Sequence, residues 1–67
     1  MNIFRKARTD LNMTKKAVAA ITGVSQSTVT TWENGTGFPA PAALEKLAEL
    51  TGISEETFIK AAGSLPG

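Results

Sequence analysis

The segment TKKAVAAITGVSQSTVTTWENG, residues 14–35, constrains this chain more than any other feature. It contains two helix starts and two helix stops. Thr14 stands as an N-cap before a helix whose Ala17, Val18 and Ile21 share one face. Gly23 ends that helix, as the residue most tolerant of a left-handed backbone. Ser25 caps a second helix, QSTVTTWEN, which Asn34 and Gly35 stop. Its β-branched residues give it poor intrinsic helix propensity, so packing through Val29 and Trp32, three apart, has to hold it. Two short helices joined by so tight a turn must cross steeply. The crossing needs a small residue, which Ala19 supplies, and inward apolar residues, which Val18, Val24, Val29 and Trp32 supply. The remaining residues of the second helix, Gln26, Ser27, Thr28, Thr30 and Thr31, are polar and are left facing outward.

The flanking sequence carries the same punctuation. Asn2 caps a first helix over residues 3–11, with Ile3, Phe4, Ala7 and Leu11 at helical spacing, and Asn12 and Met13 make a tight connection. After the loop TGFPAP, Pro41 suits the first turn of a fourth helix whose apolar face is Leu44, Leu47, Ala48 and Leu50, closed by Gly52. Ser54 caps a fifth, with Glu55 and Glu56 favourable at its positive end, Phe58, Ile59 and Ala62 on its apolar face, and Gly63 as its stop. Strict apolar/polar alternation is missing throughout, so the expected fold is all-α, a compact five-helix domain over residues 1–63, followed by a flexible tail at 64–67. The alternative is an α+β arrangement in which a C-terminal β-hairpin replaces the last helices. Against it, the stretch TFI is too short for two paired strands.

Composition narrows the chemistry. Sixty-seven residues make one domain with a small core. The chain has neither cysteine nor histidine, so it lacks thiolate ligands, disulfides and the commonest metal ligand and general base at neutral pH. With no phosphate-cradling Gly-rich loop and no convergent acidic pair, an enzyme is not expected, nor is a cofactor, a metal or a small-molecule substrate. No apolar run approaches the roughly 20 residues that span a bilayer. Charges interrupt the first residues, MNIFRKARTDL, where a signal peptide needs an apolar stretch. A cytoplasmic location, without a membrane partner, is the expectation.

Net charge is +1, but its distribution is uneven. Residues 1–35 carry Arg5, Lys6, Arg8, Lys15 and Lys16 against Asp10 and Glu33. Residues 36–67 carry Lys46 and Lys60 against Glu45, Glu49, Glu55 and Glu56. The basic half is fit to face an anion, the acidic half to face solvent or a partner chain. Arg5 and Lys6 suit either phosphates or a solvated face.

The stretch LNMTKKAVAAITGVSQSTVTTWENGTGFPAP resembles the lambda-repressor-like, Cro-type (XRE) helix-turn-helix family. The similarity runs upstream to Arg8 and downstream through LEKLAELTGIS. Short phage Cro repressors and compact antitoxin or restriction-control regulators share this layout. The resemblance implies a sequence-specific transcriptional repressor whose residues 15–34 enter the major groove of double-stranded DNA. It implies that Gln26, Ser27 and Thr31 face base edges. Thr28 and Thr30 flank the groove nearer the backbone, and Lys15, Lys16, Asn34 and Thr36 meet phosphates. The chemistry agrees: a Gln amide can bind adenine bidentately, Ser and Thr hydroxyls discriminate less, and a Thr methyl can touch a thymine methyl. Lys15 stands where many relatives carry Gln; it can reach a phosphate as a point charge. The resemblance also pairs Arg8 with Glu33 in a structural salt bridge, and the phase of Trp32 with Val29 assigns Trp32 to the core.

With one bidentate reader per subunit, useful affinity calls for a second copy. The expectation is a weak homodimer, completed on DNA, that spans a pseudo-palindromic operator with recognition helices about 34 Å apart. Phe58, Ile59 and Leu65 serve either a dimer interface or the core. The competing reading is an antitoxin-like or adaptor module whose acidic half binds another protein.

Overall fold

The computed structural model describes residues 2–63, with side chains through Ala61. Five helices follow in order: α1 (Ile3–Asp10), α2 (Lys15–Thr22), α3 (Gln26–Asn34), α4 (Pro41–Thr51) and α5 (Glu55–Gly63). Among the described residues there is no strand, and α5 occupies the place where a β-hairpin was the alternative. The fold is all-α. The tail over 64–67 and Leu65 lie outside the described residues, as does the side chain of Ala62.

Four of the five helix starts satisfy, through a capping side chain, a backbone donor that would otherwise be left without an intrahelical partner. Asn2 Oδ1 accepts from the Arg5 N–H at 3.1 Å, Thr14 Oγ1 from Ala17 at 3.1 Å, Ser25 Oγ from Thr28 at 3.2 Å and Ser54 Oγ from Thr57 at 3.1 Å. Helix α4 has no such side-chain cap; Pro41 at its first position has no N–H and so removes one of the donors left without an intrahelical partner. The turn between α2 and α3 is three residues long. Gly23 adopts φ 76°, and the Gly23 and Val24 N–H groups both close onto the Ala19 carbonyl, at 2.9 and 3.0 Å. Asn12 turns the chain between α1 and α2 with φ 55°, a left-handed conformation that Asn tolerates better than most residues.

The core gathers Phe4, Val18, Ala19, Val29, Trp32, Ala43, Leu44, Leu47 and Phe58, with Ile3, Met13, Val24 and Ile53 packed around it. Phe4 is its hub. Its ring stacks on Phe58 at 5.2 Å, tilts against Trp32 at 6.2 Å and meets Phe38 edge-on at 5.8 Å. Phe58 is fully buried, so it belongs to the core, while its neighbour Ile59 is half exposed. Leu11 and Ile21, expected on buried faces, are each 42% exposed. In α2 the buried pair is Val18 and Ala19 with Thr22 half-buried, which leaves Ile21 at the rim of the stripe.

The last turn of α3 is tied to α1 at two points. Asn2 Nδ2 donates to the Trp32 carbonyl at 2.5 Å. Arg8 Nε donates to Glu33 Oε2 at 2.7 Å and its Nη2 to Glu33 Oε1 at 3.1 Å, while Nη1 holds the Met13 carbonyl at 2.9 Å. The Glu33 side chain is only 5% exposed. Its hydrogen bonds, more than simple charge attraction, hold the Arg8 guanidinium above its ordinary pKa. The first helix thereby fixes the orientation of the third.

Candidate nucleic-acid interface

Burial divides α3 cleanly. Val29 and Trp32 are 1% and 2% exposed, whereas Gln26, Ser27, Thr31 and Asn34 are open to solvent. Positions 27, 31 and 34 step by four and three, so they form one stripe on the helix, opposite Val29 and Trp32. Gln26 and Ser27 open the helix next to the cap Ser25, and neither side chain is engaged by another described residue. Their backbone N–H groups lie in the first turn, where the helix dipole favours an anion. Nine residues make α3 about 13 Å long, close to the width of the DNA major groove at about 12 Å.

The other candidate residues divide by what their side chains already do. Thr28 is half-buried and its hydroxyl meets Ser25 Oγ at 3.0 Å, within the cap. Thr30, also half-buried, donates its hydroxyl to the Gln26 carbonyl at 3.1 Å. Lys15 opens α2 half-buried, and Lys16 beside it is exposed; neither forms an ion pair among the described residues. Thr36 is exposed and its hydroxyl donates to the Thr31 carbonyl at 3.3 Å, closing the loop onto the end of α3. Two residues that help to position the helix carry little sequence signal. Asn2 reads as a cap, and nothing in its spacing shows that its amide reaches Trp32. Gly37 reads as loop, yet its backbone lies against Thr31.

Electrostatically the surface suits a polyanion. No acidic residue occurs between Asp10 and Glu33. Glu33 is neutralised by Arg8, and Asp10 pairs with Lys6 at 3.0 Å. Lys15 and Lys16 therefore stand in a segment without a competing carboxylate. Among the described residues no cluster of acidic side chains is arranged to hold a metal ion. No described helix is long and apolar enough to cross a membrane.

A helix turn helix unit with a buried α3 seam, a polar α3 face and basic flanks defines a DNA-reading domain. The helix-turn-helix family model matches residues 4–58, and the chain belongs to that family, in its XRE-type, lambda-repressor and Cro-like branch. It is a DNA-binding transcription regulator of that type, and its ligand is double-stranded DNA. Comparison with curated proteins and with solved structures found no match.

Proposed function

We propose that the chain is a sequence-specific repressor of phage Cro type that binds a pseudo-palindromic operator as a dimer. In this reading Gln26, Ser27 and Thr31 meet base edges, and Lys15, Lys16, Thr28, Thr30, Asn34 and Thr36 meet the phosphate backbone. The observation that carries it is the division of α3: one face buried on Val29 and Trp32, the other an exposed polar stripe. Scale is compatible with the dimer. The domain measures 29 × 23 × 22 Å, so two copies have room to sit side by side with their recognition helices one DNA turn, about 34 Å, apart. Repression follows from occupancy, because a protein seated on a promoter excludes polymerase. The reading places the protein with the chromosome in the bacterial cytoplasm.

A mobility-shift titration against a panel of palindromic and scrambled duplexes tests this reading. The expected result is tight binding to a subset of duplexes, with two chains bound per site. Equal affinity for all duplexes would sink the specific-repressor reading. Binding of one chain per site would sink the dimer.

A further inference from the structure

Thr31 lies in the middle of the polar stripe, and the chain around it fixes which of its two side-chain branches faces out. Its hydroxyl donates to the Thr28 carbonyl at 2.6 Å, so its only proton is engaged within the helix. The loop after α3 then folds back on it. The Thr36 and Gly37 N–H groups donate to the Thr31 carbonyl at 3.0 and 3.2 Å. A Cβ placed on Gly37 would lie 2.8 Å from Thr31 Oγ1 and 3.2 Å from Thr31 Cβ, with the Trp32 ring next at 4.0 Å. The loop therefore approaches the hydroxyl side of Thr31, and the γ-methyl lies away from it. Thr31 is exposed all the same. Threonine is stiff about χ1, and exchanging its branches would break the 2.6 Å bond and press a methyl against the Gly37 backbone.

We propose that Thr31 reads DNA through its γ-methyl, as an apolar contact to the 5-methyl group of a thymine, and that Gly37 is the positioning residue that selects this orientation. The proposal rests on the reading of α3 as the base-contacting helix. It gives the three readers different chemistry: Gln26 and Ser27 supply free polar groups, and Thr31 supplies a hydrocarbon.

The test uses the full chain and the tightest duplex recovered by selection from a random-sequence library. Each thymine is replaced singly by uracil, which removes the 5-methyl group and nothing else. Wild-type protein should lose affinity at one base pair per half-site by about four-fold, the worth of one buried methyl group. Thr31→Val keeps an outward methyl and should retain that loss. Thr31→Ser keeps only the hydroxyl and should bind thymine and uracil duplexes equally. Gly37→Ala, whose Cβ would crowd Thr31, should lower the thermal melt and weaken the discrimination at the same base pair while the remaining base preferences stay close to wild type; a role confined to folding would lower every preference together. If uracil is tolerated at every position, or the selected site holds no thymine, the methyl reading is overturned. If Thr31→Val shifts base preference while uracil has no effect, the hydroxyl is the reader and α3 still contacts bases. If Thr31→Ala leaves the whole selection profile unchanged, the base-contacting role of Thr31 fails with it.

Discussion

Arg8 grips Glu33 with two guanidinium N–H groups, at 2.7 and 3.1 Å, across twenty-five residues of sequence. The planar fork matches the carboxylate, and the third contact to the Met13 carbonyl ties in the turn after α1. Removing one partner leaves the other's charge buried. Arg8→Met should cost about 3 kcal/mol, most of it from the stranded Glu33 carboxylate. A domain of this size has only about 3–10 kcal/mol of stability, so thermal denaturation followed by circular dichroism should show a fall of roughly 10–20 °C. The double variant Arg8→Met with Glu33→Leu should recover much of that loss. An unchanged melt for the single variant would show that the pair contributes nothing. Because the folded-state pKa of Arg8 is raised, its contribution is fully present below the ordinary arginine value and fades only above it. The stabilising effect of this arginine should therefore stay constant through neutral and mildly alkaline pH.

Gly23 separates conformational strain from crowding. Its φ is 76°, and a Cβ there would meet nothing within 4 Å. Gly23→Ala should cost about 1–2 kcal/mol through the backbone alone. The DNA-binding profile should be unchanged once the variant is folded. A melting temperature equal to wild type would mean that the turn relaxes out of the left-handed region.

Phe58 decides whether α5 is part of the domain or an appendage. It is 0% exposed and stacked on Phe4 with an interplanar angle of 11°. Phe58→Ala should cost about 3–5 kcal/mol, comparable with the whole stability of the domain, and abolish the cooperative melt. Phe58→Leu, which keeps much of the volume, should cost about 1–2 kcal/mol and remain foldable. Loss of the α5 helical signal alone, with the rest melting normally, would show that α5 docks independently.

Readers and anchors should separate in salt titrations. Gln26→Ala should weaken binding to the preferred duplex by about 1–3 kcal/mol and relax preference at one base pair. Lys16→Ala should weaken binding to all duplexes alike and reduce the slope of log K against log salt by about 1. A sequence-selective effect from Lys16, or a uniform one from Gln26, would exchange their roles.

Local punctuation was the most legible part of this sequence. Asn2, Thr14, Ser25 and Ser54 cap the helices they were expected to open, and Gly23, Gly35 and Gly52 close them in the left-handed conformation. A cap is a short-range device, written in adjacent residues, so it survives reading without coordinates. The family and the all-helical fold were legible for the same reason: the spacing around Gly23 allows few packings. Burial was less so. Helical phase placed Ile21 on the inner face but could not show that Ala19 and Thr22 draw the buried stripe to one side of it. Long-range contacts were the least legible. The Asn2 amide on the Trp32 carbonyl and the Gly37 backbone on Thr31 depend on loop paths that no local signal encodes.

Trp32 is the single tryptophan of the chain, and it is 2% exposed on the face of α3 opposite the polar stripe. The molecule thus has one intrinsic fluorophore, shielded from whatever touches the stripe and in contact with the ring that joins α1 to α5. Its emission should shift to the red on unfolding and stay nearly constant on DNA docking. A single optical signal can then follow the integrity of the scaffold while an external label on the duplex follows occupancy, so loss of binding and loss of folding can be told apart in one cuvette.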